Sequence, residues 1–253
     1  MNAMKPPISR MGGKSKLRKT IIEMFPQHTC YVELFFGAGW VYFGKERSKV
    51  EAINDIDGEL INMFKMLKHH EEEISRLLQY EFSSRDSFQE YKTYDIKKLT
   101  EIQRAIRFMY LISQSFASRG NNYGYGTTSM PSPQIFITDT LKNVKERLRN
   151  TFVENLEFNI VIDKYDRPHT LFFCDPPYYE TAQYSDQFGE DKHLLLRDKL
   201  SNLQGKFILT INDHPKVREW YSAFNIKEVE VKYSVSREAE ARKDYKELII
   251  TNY

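Results

Sequence analysis

The sequence predicts an α/β fold: a seven-stranded sheet carrying an inserted helical lobe and a C-terminal β-hairpin. Three observations predict it. Toward both ends of the chain, short apolar runs bounded by Gly or Pro alternate with helical spacing, as in strand and helix units of a parallel sheet. Between about residues 70 and 150 the strand signals disappear and helical periodicity takes over. Near the C-terminus two strand-like runs flank one charged segment, as a hairpin does. A chain of 253 residues holds one α/β core and a smaller lobe, and has no room for a second full-size domain.

Taken in order, the apolar run 29–36 breaks at Gly37 and Gly39 and resumes with helical potential, which reads as strand, tight turn and helix. Residues 50–54 make a second strand. Asp57 is placed to cap a helix whose apolar face is Leu60, Ile61, Phe64 and Leu67. In the lobe, Ile102, Ala105, Ile106, Met109 and Phe116 recur at helical spacing. Segment 117–133 is rich in Gly, Asn, Ser, Tyr and Pro, and irregular segments of that length are usually functional or disordered. Strands return at 151–155, 170–174, 206–211, 229–235 and 247–252, with a helix over 192–203. The last two strands pair antiparallel around 236–246. The expected division is a domain of residues 1–68 and 151–253, with 69–150 inserted.

Hydrophobic residues at 41% and charged residues at 28% place the chain among folded globular proteins and exclude a disordered one. The net charge of +2 says little by itself, because nucleic-acid affinity depends on where the cations cluster. Lys5, Arg10, Lys14, Lys16, Arg18 and Lys19 crowd the first twenty residues with no acid among them, and Lys97, Lys98, Arg104 and Arg107 face Glu101 alone. Such runs suit phosphates, and they also suit a solvated face. Residues 1–14 lack an apolar h-region and no run of eighteen apolar residues occurs, so a cytoplasmic protein with no membrane association is expected. Cys30 and Cys174 lack any CxxC or Cys/His spacing and read as buried free thiols in strands, and the six histidines show no ligand spacing. No metal site is expected.

The glycines of Phe35-Phe36-Gly37-Ala38-Gly39 stand where a backbone must approach a ligand. A dinucleotide fingerprint needs a third glycine at position 42, which is Tyr42, so NAD and FAD are disfavoured. Asp55 ends the next strand, where a carboxylate can accept both hydroxyls of a ribose; together these features suggest a nucleoside without a pyrophosphate. Gly12-Gly13-Lys14-Ser15 resembles the end of a phosphate loop, but Ile8 stands where that loop needs a glycine and no strand precedes it, so an ATPase is set aside. Asp175-Pro176-Pro177-Tyr178 follows the apolar strand 171–174. Two prolines lock φ and remove two donors, leaving a stiff turn at a strand's carboxyl end, where open α/β sheets bind ligands. An exocyclic amine is a weak nucleophile because its lone pair is delocalised into the ring. Accepting its two hydrogens at Asp175 and at the Pro176 carbonyl favours the tetrahedral nitrogen that attacks a methyl sulfonium, while Tyr178 stacks on the base.

The blocks Gly12-Gly13-Lys14, 35–39, Asn54-Asp55, 175–178 and 247–253, in this order, resemble the Dam-like (D12 class) DNA adenine N6-methyltransferases of the alpha group. The resemblance spans nearly the whole chain. It implies a Rossmann-like methyltransferase sheet, S-adenosyl-L-methionine as methyl donor, double-stranded DNA as substrate and a restriction endonuclease as a functional, not necessarily physical, partner. It further implies that Lys14, Phe35, Gly37, Gly39, Asp55 and Asp175 line the cofactor pocket and that Phe158 packs against its adenine. Arg10 stands where the family usually has an aromatic residue; a guanidinium plane can serve there instead. Ser113-Gln114-Ser115-Phe116 departs from the GATC-specific members, so their target sequence does not carry over.

An enzyme acting on a paired base must flip it out. Arg119, Asn121, Asn122 and Tyr123 supply residue types that read base edges, hold phosphate or wedge a stack, and Arg237 is a further phosphate contact. The same chemistry on RNA adenine or on cytosine N4 is the nearest alternative; cytosine-specific relatives usually have Ser where Asp175 stands. A non-catalytic nucleic-acid-binding protein is the alternative from another class, and it has no use for that carboxylate.

Overall fold

The structure is a computed structural model and describes residues 4–10, 12–127, 138–180, 188–232 and 244–253. The strands are β1 (Cys30–Glu33), β2 (Val50–Asn54), β3 (Thr151–Glu154), β4 (Thr170–Cys174), β5 (Lys206–Asn212), β6 (Asn225–Lys232) and β7 (Asp244–Thr251). The helices are α1 (Arg18–Glu23), α2 (Trp40–Gly44), α3 (Gly58–Leu78), α4 (Arg85–Thr93), α5 (Glu101–Ser113), α6 (Thr138–Leu148), α7 (Phe158–Tyr165), α8 (Glu190–Ser201) and α9 (Pro215–Trp220). The seven strands form one mixed sheet in the order β3-β2-β1-β4-β5-β7-β6. Among the described residues no helix is long and apolar enough to cross a membrane. The chain divides into two compact units: Met1–Ser15, Gly37–Lys45 and Asp57–Asn155 in one, Lys16–Phe36, Glu46–Ile56 and Leu156–Tyr253 in the other.

In the second unit β2, β1, β4 and β5 run parallel, and β7 pairs antiparallel with both β5 and β6. The expected terminal hairpin is therefore present. Its apolar strand lies inside: Leu248, Ile249 and Ile250 are fully buried, whereas β6 alternates Lys and Glu with apolar residues and takes the edge. β4 is buried along its whole length. Each fully buried Leu, Ile or Phe in this core stabilises the fold by about 1.5–3 kcal/mol. Cys30 and Cys174 are buried free thiols in β1 and β4, as expected. Several boundaries differ from the sequence reading. β1 ends at Glu33 rather than at 36 because the chain bends at Leu34 and Phe35; β6 begins at Asn225 rather than at 229, since Asn225 to Glu228 register against Thr251 to Leu248. α8 starts at Glu190, two residues early, which puts Glu190 and Asp191 in the first turn, where the helix dipole favours them.

The first unit is largely helical. Asp57 caps α3 as predicted, its Oδ1 accepting from the amides of Glu59 (3.1 Å) and Leu60 (3.2 Å). Thr100 and Gln103 form a capping box at α5. α3 packs against α5 and α6. Tyr42, at the third-glycine position, is fully buried: its hydroxyl donates to the Arg147 carbonyl (2.8 Å), its carbonyl accepts from Arg147 Nη2 (3.0 Å), and the guanidinium sits 3.7 Å from its ring centre.

Candidate active site

Within the second unit, the parallel register sets out a row of candidate groups along one edge of the sheet. Glu33 of β1 registers with Ile53 of β2 and with Phe173 of β4. Phe35, Asp55 and Asp175 each lie two residues beyond that line, at the carboxyl ends of three adjacent strands. With a strand spacing of about 4.8 Å, the backbones at Asp55 and Asp175 leave the sheet about 10 Å apart, with Phe35 between them. The ladder continues past the formal strand ends: the Leu34 amide donates to the Phe173 carbonyl (3.0 Å) and the Phe36 amide to the Asn54 carbonyl (2.9 Å). Asn54, itself buried, fastens this edge. Its Nδ2 donates to the carbonyls of Leu34 (3.0 Å) and Leu156 (3.1 Å), and its Oδ1 accepts from the Leu156 amide (3.0 Å). That bond sets the entry to α7, whose first residue is Phe158. Phe158 is buried against Phe35, with ring centroids 5.6 Å apart, and both rings meet Phe188. Asp55 and Phe35 are half-buried.

The segment after β4 is held at both ends. Asp175, Pro177 and Tyr178 are half-buried, and Pro176 is buried. Thr210 Oγ1 donates to Asp175 Oδ1 at 2.9 Å. Four residues on, the Tyr179 amide donates to Asn212 Oδ1 (2.9 Å) and its carbonyl accepts from Asn212 Nδ2 (3.1 Å). The Tyr179 hydroxyl donates to Glu190 (2.9 Å), and Lys216 Nζ donates to both Glu190 (2.7 Å) and the Tyr179 hydroxyl (3.1 Å). Hydrogen bonds from Lys216 and Tyr179 hold the Glu190 carboxyl below the usual carboxylate range. His193, fully buried, lies edge-on to Tyr179 and Phe188 and stacks on Trp220; burial pushes its imidazole down to about 4. Sequence reasoning singled out Tyr178 and missed Tyr179, Thr210 and Asn212, and it noted Asn54 only as the neighbour of Asp55, without a role. A signal for two of them existed, because Thr210 and Asn212 interrupt an apolar strand at the spacing of two that puts both on one face.

In the first unit, Gly12, Gly37 and Gly39 all have left-handed φ values (+81°, +50° and +77°), which glycine adopts without the cost a Cβ brings. A Cβ at Gly37 would meet nothing within 4 Å, so the turn borders open space; at Gly13 it would meet the Trp40 ring at 2.7 Å. Lys14 is buried, and its Nζ donates to the Gly12 carbonyl (3.1 Å). Arg10 forms an ion pair with Asp57 (3.1 Å) and lies 5.9 Å from the Phe108 ring centre.

The described part of segment 117–133 is a built turn. The Phe116 amide donates to the Asn122 carbonyl (2.8 Å), the Gly124 amide to the Gln114 carbonyl (2.7 Å) and the Gly120 amide to Ser115 Oγ (2.7 Å). Ala117 and Ser118 adopt φ of +54° and +55°, strained for residues with a Cβ. Arg119, Asn121 and Asn122 are exposed, and Lys92 Nζ donates to the Asn121 carbonyl (2.9 Å). Tyr123 is half-buried, edge-on to Phe88, with the Arg85 guanidinium 5.0 Å from its ring and 5.1 Å from that of Tyr125. Arg237 and residues 128–133 lie outside the described residues.

Comparison with known proteins gives this arrangement a context. The chain is 26% identical to the type II methyltransferase M1.LlaDCHI of Lactococcus lactis subsp. cremoris, covering 99% of this chain and 96% of that one. It is 27% identical to the type II methyltransferase M.MjaIII of Methanocaldococcus jannaschii, covering 99% of each. It is 25% identical to the DNA adenine methylase of Escherichia coli K12, over 94% of this chain and 91% of that one. Residues 11–235 match the model of the D12 class N6 adenine-specific DNA methyltransferases, and with that match running from the Gly12 turn through both the Asp55 and Asp175 edges, the chain belongs to this family.

Proposed function

We propose that this chain methylates N6 of an adenine flipped out of duplex DNA, with Asp175, Pro176 and Tyr178 forming the site for the target base. S-adenosyl-L-methionine supplies an electrophilic methyl group on a sulfonium. Phe35, Asp55, Phe158 and Asp175 hold that cofactor, Asp55 through the ribose hydroxyls; the family resemblance assigns Arg10, Lys14, Gly37 and Gly39 to the same ligand. The residues present suit it: an acid and an aromatic residue, Asp55 and Phe35, stand at the carboxyl ends of adjacent parallel strands. Asp175 and the Pro176 carbonyl accept the two amine hydrogens, which localises the nitrogen lone pair, and the Asp175 carboxylate stabilises the positive charge that develops on that nitrogen. Tyr178 stacks on the flipped adenine. Arg119, Asn121, Asn122, Tyr123 and Arg237 contact the duplex, with 69–150 as the target-recognition domain. The type II names of two relatives support a restriction endonuclease as a functional partner in this reading.

The observation that carries the reading is the fastening of Asp175 on the edge shared with Asp55. Its test is Asp175→Ala, which should abolish methyl transfer, a loss of about a thousandfold or more, while duplex affinity stays near wild type. Unchanged turnover would overturn the assignment.

A further inference from the structure

We propose that Thr210 and Asn212 are positioning residues that aim the Asp175 carboxylate and hold the segment behind it. The inference rests on the role given to Asp175 above. Cys174 registers with Leu209, so Asp175 and Thr210 emerge side by side from adjacent parallel strands. Thr210 is fully buried in a strand whose neighbours Phe207, Ile208, Leu209 and Ile211 are all apolar. A hydroxyl in such a place costs free energy unless it is bonded, and this one is bonded to Asp175 Oδ1 at 2.9 Å, with the Cys174 carbonyl at 3.5 Å. A carboxylate cannot donate, so the hydroxyl hydrogen points at Oδ1. That bond restrains the carboxylate from rotating about its Cβ–Cγ axis and so fixes the direction in which it faces an incoming amine.

Asn212, two residues on and on the same face, performs the matching task on the backbone. Its side-chain amide pairs with both the amide and the carbonyl of Tyr179, in the manner of one rung of a sheet. The turn Asp175 to Tyr178 is thus fixed by β5 at its first residue and again just past its last. Its two prolines supply internal stiffness, and the two polar side chains of β5 set where that stiff piece points.

The test compares Thr210→Val, which keeps the shape and removes the donor, with Thr210→Ser, which keeps the donor. Single-turnover methyl transfer to a duplex, equilibrium binding of S-adenosyl-L-methionine and the thermal unfolding midpoint are measured for both. Misaligning one acceptor predicts that the valine variant transfers methyl about 100-fold more slowly with a much smaller loss of cofactor affinity, and that the serine variant recovers to within about fivefold. A valine variant as fast as wild type overturns the proposal, and so does a loss that serine does not rescue or that falls equally on cofactor binding. If Asp175→Ala kills transfer while Thr210→Val is harmless, only the positioning role fails; if Asp175→Ala is itself active, the function proposed above fails first.

Discussion

His193 makes the folded protein refuse a proton that the unfolded chain accepts, and this has a measurable consequence. The ring is fully buried between Tyr179, Phe188 and Trp220, and neither nitrogen finds a hydrogen-bond partner among the described residues. Burial lowers its pKa to about 4, against about 6.5 for an exposed imidazole. Since the folded pKa is depressed, stability is lost as pH falls below the unfolded value, and the loss continues until pH reaches the folded one. Over the 1.5 pH units between about 6.5 and 5 the unfolded chain carries nearly one extra proton, worth about 2 kcal/mol at about 1.4 kcal/mol per unit. His193→Phe, which fills the same aromatic box without a titratable group, should remove that portion of the acid sensitivity. Urea unfolding at pH 7 and pH 5, followed by the fluorescence of Trp40 and Trp220 together, reads it. The stability difference between the two pH values should shrink by about 2 kcal/mol in the variant. An identical pH dependence in wild type and variant would refute the reasoning.

Two further outcomes follow from single residues. Asn54→Leu strips three hydrogen bonds from the edge that carries Asp55 and should cost about 3 kcal/mol at about 1 kcal/mol per bond; a urea midpoint like that of wild type would contradict this. Arg119→Ala should weaken duplex binding at every sequence alike and reduce the slope of log affinity against log salt by about 1, as loss of one phosphate contact does; an unchanged slope removes Arg119 from the interface.

The elements read correctly in the sequence were those specified locally. β2 and β4 are short apolar runs bounded by Asp or Pro, and Asp57 caps α3 from within its own first turn. Gly37 and Gly39, read as a tight turn after a strand, take left-handed backbone, which no other residue enters as easily. What escaped was short or non-local. α1, α7 and α9 span only six to eight residues, too few for a helical period to declare itself. A hairpin pattern shows that β6 and β7 pair, but not which of them meets β5; the continuous apolar run of β7 against the alternation of β6 decides that only once the sheet is known. The same divide runs through the site. Asp175 stood out through its own neighbours, whereas Thr210 and Asn212 act on residues 35 and 33 positions earlier, a distance over which sequence pattern carries no information about contact. Tyr179 looked like a repeat of Tyr178, and its separate task shows only in the bonds from Asn212, Lys216 and Glu190.

The most direct measurement of the central claim is the chemical identity of the product. Incubation with S-adenosyl-L-methionine labelled in its methyl group and unmethylated genomic DNA, followed by digestion to nucleosides, should place the label on N6-methyladenine. Label found on N4-methylcytosine, or transferred only to RNA or protein, would contradict an adenine amine held by Asp175 and the Pro176 carbonyl.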